Sequence, residues 1–68
     1  MDYNMEEIGR RLRQLRGDRT QAEIAQEIGV TPMAISQYES GNRMPKGPIM
    51  MRLARVFGVS VEDLFFKF

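Results

Sequence analysis

Met33, Ser36, Gln37 and Ser40 fall on one side of a helix if the chain turns by 100° per residue there. Ala34, Ile35 and Tyr38 fall on the other side. The first set makes a surface of thioether, hydroxyl and amide groups that carries no charge. A helix face meant only for water usually carries lysine and glutamate, so a methionine beside Pro32 asks for another use. The edges of base pairs in the DNA major groove supply one. The Gln37 amide can pair in bidentate fashion with adenine, while Met33 and the Pro32 ring can pack on thymine methyl groups. No carboxylate stands on this face to repel a phosphate. Pro32, Met33, Ser36 and Gln37 are therefore the candidate base-reading residues, and double-stranded DNA is the candidate partner.

Catalytic chemistry has little to work with. The 68 residues include no histidine and no cysteine, which removes the commonest general base, the commonest metal ligand and any disulfide. No catalytic motif is present, and the reading implies no enzyme, no metal, no cofactor and no small-molecule substrate. The formal net charge is only +1, but Arg10, Arg11, Arg13, Arg16 and Arg19 crowd one stretch and can present a positive face to phosphates. The alternative for that stretch is a solvated, arginine-rich helix. No apolar run is long enough to span a membrane and no signal peptide is visible at the start, so the expected location is the cytoplasm.

The elements that must position these residues are helices. Met5, Ile8, Leu12 and Leu15 recur at helical spacing and form the apolar stripe of a first helix, which Gly17-Asp18 ends. Thr20 with Glu23 has the spacing of a capping box and opens a second helix, with Ile24, Ala25 and Ile28 inward and Gly29 as its stop. Thr31 caps a third, with Pro32 at its first position, where the missing N–H costs nothing. That helix runs to about Ser40, and Gly41 closes it. Asn42 to Lys46 is a loop. Gly47-Pro48 repeats the cap-then-proline signal for a fourth helix with Ile49, Leu53, Val56 and Phe57 inward, broken at Gly58. Ser60 with Asp63 starts a fifth, carrying Val61, Leu64 and Phe65. The fold class is all-α, a five-helix bundle, and residues 1–68 read as a single domain.

Only Gly29, Val30 and Thr31 join the second and third helices. A turn so short, with glycine in it, suits helices that cross steeply, which is helix-turn-helix geometry. Ala25 keeps the crossing close, and Ile24, Ile28, Val30, Ile35 and Tyr38 fill the wedge.

The order Thr20-Gln21, Ile24-Ala25, Ile28-Gly29-Val30-Thr31, Ile35, Tyr38-Glu39, Gly41, Arg43 and Pro45 resembles the Cro/phage-repressor family, also called Xre-type. The likeness extends through Ile8-Gly9, Arg11-Leu12-Arg13 and Leu15-Arg16 before it, and through Leu53-Ala54, Val59-Ser60-Val61 and Leu64 after it. The resemblance implies a lambda-repressor-like domain with the helix-turn-helix at helices 2 and 3, acting as a sequence-specific transcriptional repressor. It also implies that the N-terminal part of the third helix enters the major groove.

In the family the glutamine matching Gln21 touches a phosphate, and the free N–H groups at a helix start favour an anion there in any case. Thr31, Ser40, Asn42, Arg43 and Lys46 complete the candidate contacts to the DNA backbone, which position the protein rather than read sequence. Arginine and glutamate matching Arg16 and Glu39 pair across the core in the repressors, so this pair is assigned a structural role; Arg11, on the other edge of the first stripe, is a second candidate partner. The link Gly17-Asp18-Arg19 is shorter than in many relatives and places arginine where they often have leucine, so Arg19 is expected at the surface near the DNA backbone.

One small module rarely supplies enough contact for tight operator binding. A homodimer on a palindromic operator is expected, with Phe66 and Phe68 as the self-association patch; the alternative is that both fold back onto the first helix near Met5 and Ile8. A second functional reading is an antitoxin or other protein-interaction module built on the same fold.

Overall fold

The computed structural model describes residues 4–67, and across them the chain forms helices and no strand. Four α-helices follow one another, α1 (Met5–Arg16), α2 (Gln21–Ile28), α3 (Pro32–Glu39) and α4 (Gly47–Phe57), and α5 (Glu62–Phe66) is a single wide π-helical turn.

Side chains close most of the helix starts. Asn4 Oδ1 accepts from the Glu7 N–H at 3.1 Å. At α2 the capping box is complete: Thr20 Oγ1 accepts from Glu23 N at 3.0 Å, and the Glu23 carboxylate accepts from Thr20 N at 2.9 Å. That second bond, from the Thr20 backbone, is the main reason the Glu23 carboxyl titrates below its ordinary value. Thr31 Oγ1 accepts from Ala34 N at 3.1 Å with Pro32 next in line. The fourth start differs from the sequence expectation. Lys46 rather than Gly47 is the cap, no side chain closes it, and Pro48 occupies the second helical position. Glycine offers no acceptor to fix the boundary, and proline is harmless anywhere in a first turn, where N–H groups lack helical partners.

The core draws on every helix. Ile8 and Leu12 from α1 meet Ile24, Ala25 and Ile28 from α2, and Ala34, Ile35 and Tyr38 from α3. On α4 the buried residues are Met50, Leu53 and Ala54, while Ile49, Val56 and Phe57 are only half-buried. The inward stripe of α4 is thus turned from the expected one, with the flexible Met50 filling space assigned to its neighbours. In α5 the adjacent Leu64 and Phe65 are both buried. A regular α-helix would set them 100° apart; the wider turn brings consecutive side chains nearer to one direction.

Two glycines decide how the helices meet. Gly29 ends α2 in the left-handed region at φ 77°, where a Cβ is costly, and so permits the sharp turn into α3. Gly9 lies inside α1, where glycine weakens a helix. A Cβ added there would overlap the carbonyl oxygen of Glu39 and lie 2.8 Å from that of Tyr38. The backbone of α1 therefore rests directly on the last turn of α3. Glycine is required by that approach.

Candidate nucleic-acid interface

The outer side of α3 is open. Met33 is 70% exposed, Pro32, Ser36 and Ser40 are exposed, and Gln37 is half-exposed. Ala34, Ile35 and Tyr38 are buried against α1 and α2. Met33 and Ser36 make no hydrogen bond, ion pair or ring contact with the rest of the domain. The helix is held from beneath, so its outer side chains remain available to a partner.

The candidate backbone contacts flank this face. Thr31 Oγ1 is used as an acceptor by Ala34 N, which leaves its hydroxyl proton to donate. Ser40 Oγ donates back to the Gln37 carbonyl at 3.1 Å. Asn42 is exposed, and its N–H also reaches the Gln37 carbonyl, at 3.0 Å. Lys46 is exposed at the start of α4. Arg43 bends toward α3: its Nη1 lies 3.5 Å from Gln37 Oε1 and its guanidinium sits over the Tyr38 ring, 5.7 Å from the centroid.

Gln21 is less free than its sequence position suggests. Its Nε2 donates to Glu39 Oε1 at 3.1 Å, leaving a second amide hydrogen beside the uncapped first-turn N–H groups of α2. Glu39 gathers several donors. Arg16 grips it with Nε to Oε2 at 2.6 Å and Nη2 to Oε1 at 3.0 Å, and Arg13 Nε stands 3.7 Å away. Burial pushes the Glu39 carboxyl up. The bonds from Arg16 and Gln21, with the fields of Arg16 and Arg13, more than offset this and hold it below its ordinary value. A carboxylate at the C-terminal end of a helix also opposes the helix dipole, so these cations answer two costs at one place.

Arg11 takes a different partner. Its Nη1 donates to the Asp63 carbonyl at 2.9 Å and joins α1 to α5. Arg19 is exposed and lies over the Phe57 ring, 5.4 Å from its centroid. The guanidinium of Arg52, a residue with no sequence signal, caps the end of α2 by donating to the Ile28 carbonyl at 3.1 Å. Phe66 is 36% exposed, and Phe68 lies outside the described residues. Among the described residues no cluster of carboxylates is placed to hold a metal ion, and no helix is long and apolar enough to cross a membrane.

With this geometry in hand, comparison with known proteins is specific. A family model described as helix-turn-helix matches residues 10–64. An HTH-type transcriptional regulator of Methanocaldococcus jannaschii is 35% identical over 46 residues, which are 68% of this chain and 70% of that protein. The cryptic phage CTXphi transcriptional repressor RstR of Vibrio cholerae is 32% identical over 47 residues, 69% of this chain but 42% of the repressor. This chain thus spans less than half of that relative's length. The P22 c2 repressor, solved in complex with a synthetic operator, superposes with a TM-score of 0.81 at 30% identity, over 84% of this chain and 89% of that one.

Proposed function

Because the chain belongs to the helix-turn-helix family of DNA-binding transcriptional regulators, we propose that it is a sequence-specific repressor that binds a palindromic operator as a dimer. The observation that carries this reading is the outer face of α3, where a 70% exposed methionine stands among uncharged polar groups while the helix's one carboxylate, Glu39, is buried. In this reading Pro32, Met33, Ser36 and Gln37 meet base edges in the major groove. Gln21, Thr31, Ser40, Asn42, Arg43 and Lys46 hold the phosphates on either side. Repression follows from occupying a promoter. The chain makes and breaks no covalent bond and needs no cofactor.

Two copies related by a two-fold axis set their reading helices ~34 Å apart, in successive major grooves. Exposed aromatics at the C-terminal end, Phe66 and with it Phe68, supply the apolar contact between copies.

Binding-site selection from a random duplex pool tests the whole reading. The expected product is a pair of inverted half-sites centred about one helical turn apart. Gln37→Ala then costs ~1–3 kcal/mol at one base position of each half-site. Lys46→Ala weakens binding to all sequences alike and lowers the salt slope by about one. A pool that converges on no site, or a Gln37→Ala variant whose preferences match wild type at each position, overturns the proposal.

A further inference from the structure

Arg43 stands among the residues assigned to phosphates, yet its side chain is turned to Gln37. Arginine has only donors, so the Gln37 atom that it meets, 3.5 Å from Nη1, has to be the carbonyl oxygen. This contact fixes which way the amide faces. The Tyr38 ring beneath the guanidinium is 3% exposed and forms a fixed shelf for it. The loop is tied to the same residue again by the Asn42 N–H bond to the Gln37 carbonyl.

A free glutamine amide offers a donor and an acceptor side by side, which suits adenine N7 and N6. Here Oε1 already accepts from a cation, while the Nε2 hydrogens of Gln37 have no partner in the domain. The outward edge is therefore rich in donors, with the guanidinium N–H groups beside it. The matching base edge is one with two acceptors, and guanine presents O6 and N7 in the major groove. The geometry points to Arg43 as a positioning residue that holds Gln37 as a donor and directs it to guanine instead of adenine. This rests on α3 being the reading helix.

The test uses the whole chain and duplexes that differ only at the base pair whose preference Gln37→Ala abolishes. Wild type is expected to favour guanine over adenine there by about tenfold. Arg43→Lys keeps the charge but loses the planar fork and the stacking. It should retain the non-specific affinity and the salt slope of wild type while losing most of the tenfold ratio. In a Gln37→Ala background Arg43→Lys should leave the ratio unchanged. Arg43 is exposed, so a thermal melt near wild type is expected and confirms that a lost ratio is not lost folding. A wild type that prefers adenine at that position, or an Arg43→Lys variant that keeps the guanine preference, overturns the inference while leaving α3 as the reading helix. A Gln37→Ala variant that shifts no position overturns it together with the assignment of α3.

Discussion

The two ends of α3 are built to opposite rules. Its first turns expose Met33 and Ser36, which touch nothing else in the domain. Its last turn buries Glu39 under Arg16, Gln21 and Arg13, with the α1 backbone pressed against its carbonyls at Gly9. One end is held by the fold and the other is left to a partner. The difference shows how a domain of 68 residues, with a thin stability margin, carries a recognition surface without destabilising itself. The costly polar group is placed where donors from two neighbouring helices can reach it, and the reading end is kept free of charge.

The contrast can be broken at its strong end first. Glu39→Ala removes the acceptor shared by Arg16 and Gln21 and strands a partly buried guanidinium, which should cost ~3–5 kcal/mol, read by chemical or thermal denaturation. A variant that melts like wild type would mean that the last turn is no anchor. Acid sharpens the same point. The Glu39 carboxyl titrates below its ordinary value of 4.5 when folded, so its contribution is complete above that value and is lost as pH falls through the folded value. Wild type should therefore lose stability below about pH 4.5 more steeply than Glu39→Ala.

Gly9→Ala comes next. The added methyl group meets the Glu39 and Tyr38 carbonyls, so α1 and α3 must separate, at ~1–3 kcal/mol. A gain in stability, as glycine-to-alanine changes give inside an unobstructed helix, would show that the helices are less closely seated. The smallest effect belongs to the open end. Met33→Ala should move stability by no more than ~0.5 kcal/mol while weakening the preference for thymine at one operator position, read from melts and from binding-site selection with the same variant.

Much of this was legible in the sequence because the signals are local. The capping box of Thr20 and Glu23, the Thr31-Pro32 start and the Gly29 stop each act within one helical turn, and they place α2 and α3 correctly. The pairing of Arg16 with Glu39 spans 23 residues; geometry of single helices left Arg11 as an equal candidate, and only resemblance to the repressors separated them. Gly9 carried no sequence signal beyond its place in the family pattern. A glycine in a helix reads as a weak position, and its reason sits on another helix, 30 residues away at Glu39. The same distance hid the Arg52 cap on α2 and the bond from Gln21 to Glu39. Met50 was missed because the face of α4 is turned by its packing on α2, which the stripe alone does not define.

The isolation of Met33 and Ser36 from the rest of the domain has a consequence over longer times. Substitutions at those positions alter no internal contact, so selection on folding is nearly blind to them. A duplicated copy of this chain can drift to a new DNA address by changes on that surface alone, and two copies in one cell can part company without either passing through an unfolded ancestor. The same drift at Gly9 or Glu39 would be purged at once. Address and architecture are inherited in one helix but vary on separate clocks.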